Sequence, residues 1–206
     1  MEMRYRDGDL DYKPNTRSYT SCIDAWAKSG EQGAARRAEQ ILDGMISRDE
    51  TDDADAKPNV HSANAVCNAC AFTKVESDRP EALQIAFRVF DWLDRHQSLE
   101  PDSYTYTILL SVCSNLIPRA DSETRFAHAK SFFSKCCESG HVNDFVLRKL
   151  RQTVTEEQYF QLVGYRNDTS SKSMPPSWTR NAGRQSRKPS NKGAGNWSQR
   201  RGRGGR

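Results

Sequence analysis

Long apolar runs are absent from this chain of 206 residues, whose mean hydropathy is −0.86. A membrane-spanning helix needs about 20 consecutive apolar residues, so the sequence predicts no contact with a membrane interior. The first residues include Asp7, Asp9 and Asp11, unlike the basic start of a signal or transit peptide. We therefore expect a protein that does not span a membrane.

Cysteine is too sparse for a disulfide scaffold. The six cysteines lie mostly inside stretches with a helical apolar period, whereas disulfide frameworks are typical of short secreted chains. Cys67 and Cys70 together with Cys136 and Cys137 supply four thiols, but the first two fall on repeated core positions. The sequence predicts free thiols in a reducing compartment and no metal.

Catalytic motifs are missing as well. The sequence contains no glycine-rich phosphate loop, no nucleophile motif and no paired carboxylates, and its four histidines lack the spacing of a metal site or a triad. We expect neither catalysis by this chain nor a cofactor.

Positive charge is concentrated at one end. Residues 164–206 hold 11 Lys or Arg and one acid, about +10, whereas residues 1–163 carry about −6. Residues 164–206 are also rich in Gly, Ser and Pro, a composition that cannot build a core. The sequence predicts a disordered, basic, Arg/Gly-rich tail tethered to an acidic folded body.

One segment occurs three times in the body, at residues 14–20, 58–64 and 101–107. The prolines that open the copies are Pro14, Pro58 and Pro101, and their nearly constant spacing is typical of stacked helical units. Asn15, Asn59 and Asp102 follow these prolines as N-caps. Helices are predicted over 16–29, 60–73 and 103–115.

A second amphipathic helix follows each copy. Ala38, Ala86 and Ala129 recur in register on its inner face, among larger apolar residues at helical spacing. On the first helices, Cys22, Ala25 and their equivalents are predicted to face inwards. The sequence thus indicates an all-α chain of about three helix-turn-helix units.

Two shorter helices are expected after these units. Asn143 or Asp144 suits the N-cap of one, and Thr155 opens a capping box for the other. The predicted organisation is a partial preceding repeat or linker (1–15), helical repeats (16–144), capping helices (145–163) and the tail (164–206).

Residues 13–30, with Ala38, Leu42 and Met45, resemble a pentatricopeptide repeat, and residues 100–110 resemble the start of another. Residues 57–72 are a weaker copy, so that the resemblance covers residues 13–140. It implies an α-solenoid, monomeric, that binds single-stranded RNA at one base per repeat.

The resemblance also implies which residues touch RNA. Base-reading pairs map to Thr20 with Asn59, Asn64 with Asp102, and Thr107 with Asp144, while the stacking position maps to Arg17, His61 and Tyr104. Small polar residues at helix starts are equally suited to plain capping. In the tail, Arg201, Arg203 and Arg206 are expected to attract phosphates, although such an end also serves solubility alone.

These observations favour a single-stranded RNA-binding protein that acts in RNA processing, stability or translation. The family resemblance implies a mitochondrion or plastid. Stacked helix pairs equally serve as protein-interaction scaffolds, with proteins as partners, and a third interpretation is that the chain is the C-terminal piece of a larger member of the family.

Overall fold

The computed structural model describes residues 13–49, 54–164 and 170–183, and every regular element in these ranges is helical. The all-α class is confirmed. Eight of the helices follow one another as pairs: α1 (Thr16–Ser29) and α2 (Ala34–Asp49), α3 (Val60–Ala71) and α4 (Arg79–Arg95), α5 (Ser103–Leu116) and α6 (Ser122–Ser139), and α7 (Asp144–Thr153) and α8 (Glu156–Val163). A one-turn helix, α9 (Pro176–Thr179), lies beyond them.

Successive pairs pack in a repeat-like order. The first helix of each pair (α1, α3, α5, α7) contacts the second helix of its own pair, and α1 contacts α3, α3 contacts α5, and α5 contacts α7. The second helices α2, α4 and α6 also contact the first helix of the next pair. The apolar face of one pair is therefore covered by the next.

The N-caps follow the sequence prediction. The side chains of Asn15, Asn59 and Asp102 each accept a hydrogen bond from the backbone N–H three residues later, at 2.9–3.0 Å. Asn143 does the same for α7 at 2.9 Å. Each bond satisfies one of the N–H groups that a helix start leaves unpaired. At the other end of α1, Gly30 adopts a left-handed conformation with φ of 69°, as expected of a helix-ending glycine.

The aligned alanines are confirmed as core. Ala38, Ala86 and Ala129 are completely buried, so a small side chain allows close helix approach at this level of each pair. The predicted inward positions Cys22 and Ala25, in contrast, are exposed. Their equivalents in α3 and α5 are buried. These two helices each contact a preceding and a following first helix, whereas within the described residues no helix precedes α1.

Residues 170–183, which we call the C-terminal strap, pack on the body. The Trp178 ring meets Phe133 edge-on with centroids 5.7 Å apart, its carbonyl accepts a 2.9 Å hydrogen bond from Val142 N–H, and Met174 is buried. This differs from the disorder expected from Gly164 onwards, because two apolar side chains anchor an otherwise polar segment. Residues 165–169 and 184–206, which hold most of the predicted tail, lie outside the described residues, as do residues 1–12 of the predicted partial repeat.

No helix among the residues described is both long and apolar enough to cross a bilayer.

Candidate functional site

The second residue of every first helix projects from the body. These four positions hold Arg17, His61, Tyr104 and Phe145, and all four side chains are exposed. Tyr104 retains 53% and Phe145 64% of its accessible surface, unusual values for large rings. We call these four residues the planar row, since each side chain ends in a flat guanidinium or aromatic group.

Hydrogen bonds join the N-terminal ends of neighbouring first helices, where the planar row lies. The Thr16 hydroxyl donates to the Lys57 carbonyl at 2.7 Å, two residues before the N-cap of α3. The Ser103 hydroxyl makes the same bond to the His141 carbonyl at 2.7 Å, two residues before the N-cap of α7. The N-termini of α1 and α3 therefore lie side by side, as do those of α5 and α7.

The opposite helix ends are joined in the same way. Asn115, near the end of α5, donates a 2.9 Å hydrogen bond to the Ala71 carbonyl at the end of α3. In each neighbouring pair of first helices, like ends are joined, which indicates that the helices run parallel. The planar row therefore holds one exposed flat side chain near the N-terminus of each of four successive first helices.

Flat side chains in such a row suit stacking on unpaired bases. Aromatic and guanidinium planes offer a face that every base can stack on, whatever its sequence. At one end of the row, the guanidinium carbon of Arg148 lies 5.2 Å from the Phe145 ring centroid, within cation–π range. Arg17 adds a second cation at the other end.

The predicted base-reading side chains lie deeper. Thr20 and Asn64 are buried, at 5% and 2% exposure, and Thr107 is half-buried. The hydroxyls of Thr20 and Thr107 each donate to the carbonyl four residues earlier at 2.7 Å. The side-chain oxygen of Asn64 is enclosed and has no hydrogen-bond partner. In this conformation these groups offer little surface to a ligand.

Their expected partners act as caps. Asn59 and Asp102 accept hydrogen bonds from the helices that they open, and Asp102 is 7% exposed. In the last pair Asn143, not Asp144, holds the N-cap position that Asn59 and Asp102 occupy, and the pairing of Thr107 with Asp144 stays a prediction. Asp144 is the first residue of α7; its carboxylate accepts a 2.6 Å hydrogen bond from the Ser171 N–H, which lowers the pKa of Asp144.

Phe145 and Arg148 are not among the predicted contact residues, because residues 145–163 are predicted to cap the repeats. The sequence does carry a signal: Asn143 follows Asp102 at almost the interval that separates Asp102 from Asn59, and Leu147 and Leu150 fall four and seven residues after the cap, where the earlier copies also have apolar residues. Valine in place of proline before the cap hid this fourth copy. Closure of the array by α7 and α8 stays a prediction.

Five of the six cysteines are buried in the core, and Cys22 is exposed. Burial raises the pKa of the Cys67 and Cys113 thiols to about 12 and that of Cys70 well above its ordinary value, so these thiols are protonated at neutral pH and poor metal ligands. Across the described ranges no group of three potential metal ligands comes together. The tail residues Arg201, Arg203 and Arg206 lie outside those ranges.

Comparisons of the chain with protein-family models, curated proteins and solved structures found no match.

Proposed function

We propose that this protein is a short α-solenoid that binds single-stranded RNA, with bases stacked along the planar row and the basic tail adding affinity for phosphates. The observation that carries the proposal is the recurrence of exposed planar side chains at one helix position in all four first helices. A role in RNA processing, stability or translation accords with this activity.

Exposure supports stacking more than base-edge reading. A side chain must reach the ligand, and the planar row does so, whereas Asn64 and Asp102 are enclosed. Stacking is tolerant of sequence, since every base has a π face. We therefore propose broad recognition of unpaired RNA, in which the cap and threonine positions shape the surface behind the bases.

Substitution of Tyr104 tests the proposal. Tyr104→Ala removes one stacking plane, and we expect RNA binding to weaken by about 1 to 3 kcal/mol. Phe72→Ala is the matched control, because Phe72 is similarly exposed, at 56%, but follows α3 at its far end. Fluorescence anisotropy measures the affinity of each variant for an unpaired RNA, and thermal melts confirm that each variant is folded. Equal affinities for the Tyr104 and Phe72 variants would contradict the role of the row.

A protein-interaction scaffold is the second candidate. It is favoured by the burial of Asn64 and Asp102 and by the charge of about −6 over residues 1–163, which repels phosphates. Failure of the intact protein to bind any unpaired RNA would favour this candidate.

A further inference from the structure

We infer that the α1 end of the helix array is a self-association surface, on which a second copy of this chain packs about a two-fold axis. We call this surface the α1 end face. It consists of four residues of α1 and one of α2, namely Tyr19, Cys22, Ala25, Trp26 and Ile41. The inference does not depend on RNA binding.

Equivalent positions in the other first helices locate the α1 end face. Its four α1 residues are half-buried or exposed. The residues at the same distances from the N-cap in α3 and α5 are all buried, namely Ala63, Val66, Ala69 and Cys70, and Tyr106, Leu109, Val112 and Cys113. Helices α3 and α5 each contact a preceding and a following first helix, whereas α1 contacts only the following one among the described residues. The difference in exposure therefore marks the side that a preceding helix pair covers inside the array.

The α1 end face carries a groove between its two helices. A cavity of about 430 Å³ is lined from α1 by Tyr19 and Trp26 and from α2 by Arg37, Gln40, Ile41, Gly44 and Arg48. The guanidinium carbon of Arg48 lies 5.4 Å from the Tyr19 ring centroid. The α1 side of the groove is therefore aromatic, and its cations belong to α2.

Inside the array, the same position of the second helix packs on the preceding pair. The equivalent of Ile41 in α6 is Phe132, whose ring centroid lies 5.6 Å from that of Phe87 and 5.3 Å from that of Phe90, both in α4. Phe132 is buried, whereas Ile41 is half-buried. The α1 end face thus has the construction of a packing surface between helix pairs.

The α7 end of the array has a different chemistry. Arg151 is exposed, although Cys67 and Leu110 at the same distance from the N-cap are buried. Arg148 and Gln152, on the same side of α7, are exposed as well. A solenoid end that faces water needs polar residues of this kind. The α7 end is therefore suited to solvent, and the α1 end face to another apolar surface.

A second copy of this chain, in a two-fold arrangement, is the occupant that these two ends favour. Head-to-tail stacking would lay the α1 end face of one copy on Arg148 and Arg151 of the next and remove their guanidinium groups from water, which is costly. Two α1 end faces instead cover each other's apolar side chains, and a two-fold axis is by far the commonest symmetry of homo-oligomers. Such an interface continues the packing that already joins the helix pairs.

The mass of the full chain in solution tests for the dimer. Sedimentation velocity is run on nucleic-acid-free protein at about 1 to 200 µM, a range that brackets the dissociation of weak complexes. Salt at about 0.5 M shortens the Debye length to about 4 Å and suppresses pairing between the basic residues 164–206 and the acidic body of another copy. We expect the mass to rise with concentration from the 23.4 kDa of one chain to twice that value.

A charge on the α1 end face tests its location. Ala25→Glu places a carboxylate there in each copy, and we expect the dissociation constant to rise at least about tenfold, because both charges would lose water without gaining a partner. Ala120→Glu is the matched control, since Ala120 is exposed in the turn between α5 and α6, and we expect it to dimerise like the unmodified protein. Circular dichroism confirms that both variants are folded.

Cys22 reports the same surface without any variant. Its thiol is exposed in the single chain, and a second copy on the α1 end face would cover it. We therefore expect the rate of Cys22 alkylation by iodoacetamide to fall in proportion to the fraction of dimer as the protein concentration rises. In the Ala25→Glu variant the rate should not depend on concentration over the same range.

The other outcomes all contradict the inference. A monomer at every concentration overturns it, whether Cys22 reacts freely or is protected by another part of the same chain. A dimer that Ala25→Glu leaves unchanged, or in which Cys22 reacts as fast as in the monomer, forms through a different surface. Growth beyond two copies would indicate head-to-tail stacking. None of these measurements involves RNA, so the proposed function stands or falls separately.

Discussion

Short polar side chains at the four N-caps serve the helices first. Asn15, Asn59, Asp102 and Asn143 each accept a backbone N–H, a bond that typically stabilises a helix by about 1 kcal/mol. Because the cap position precedes the exposed second residue by two, the same residue that starts the helix also places a member of the planar row at the edge. The residue that caps each helix thus also sets the position of its exposed flat side chain.

Thiol reactivity follows from where each cysteine lies. Cys22 is exposed, whereas the other five are buried, and burial raises the pKa of Cys67, Cys113 and Cys137 to about 12. Alkylation requires the thiolate, so at pH 8 the raised pKa keeps these thiols protonated. We expect iodoacetamide to modify Cys22 alone in the native protein and all six cysteines in denaturant, as read by mass spectrometry. Rapid native labelling of Cys67 or Cys113 would contradict the packing described.

Close approach between helices depends on the aligned alanines. Ala86 in α4 is completely buried, within reach of the Cys67 side chain of α3, whose thiol donates to the Ala86 carbonyl at 3.9 Å. Neighbouring second helices are also joined by ion pairs such as Arg88–Glu39 at 2.8 Å. Arg88 is more than half exposed, and solvent-exposed ion pairs contribute at most about 1 kcal/mol. Apolar packing therefore dominates the association of neighbouring helix pairs.

Ala86→Leu is expected to overpack this contact and to lower the free energy of unfolding by about 1 to 3 kcal/mol. Ala25→Leu makes the same chemical change at an exposed position of α1, where we expect an effect within about 0.5 kcal/mol. Urea denaturation followed by circular dichroism compares the two. A destabilisation of similar size in both variants would show that the buried position of Ala86 is not critical for helix packing.

At the level of the whole chain, the exposed flat side chains lie on the folded body, whereas the positive charge is concentrated in residues 184–206. The body presents flat groups on an acidic framework, and residues 184–206 carry eight cations. Cations that neutralise phosphates release counterions, which makes binding depend on salt. Under the proposed function, we expect affinity and its salt dependence to come largely from residues 184–206, and the preference for unpaired RNA to come from the planar row.

Replacing the eight Lys and Arg of residues 184–206 with Gln, at constant length, is expected to weaken RNA binding and to flatten the slope of log affinity against log salt. Each lost phosphate contact reduces the slope by about 0.7 for a single strand. The Tyr104→Ala variant is the counterpart, because it removes a stacking plane and no charge. Titrations at several salt concentrations measure both, and an unchanged slope in the Gln variant would favour the scaffold function.

Local patterns along the chain were sufficient to predict most of the helices. The proline and cap of each copy and the apolar period predicted the first helices of three pairs closely, and the capping box at Thr155 predicted the start of α8. These features depend on residues three or four positions apart, which a helix brings together without help from the rest of the chain. The buried alanines followed from the same periodicity.

Exposure and docking, by contrast, depend on residues far apart in sequence. Cys22 and Val66 occupy equivalent positions, but only Val66 is buried; its helix has a first helix on each side, whereas among the described residues α1 has one on one side only. The sequence predicts that Asn64 contacts a base, but its side chain is buried. It also places Trp178 in a disordered tail, but the Trp178 ring packs against Phe133. Burial is set by neighbours that belong to other helix pairs, and only the assembled structure brings them into contact.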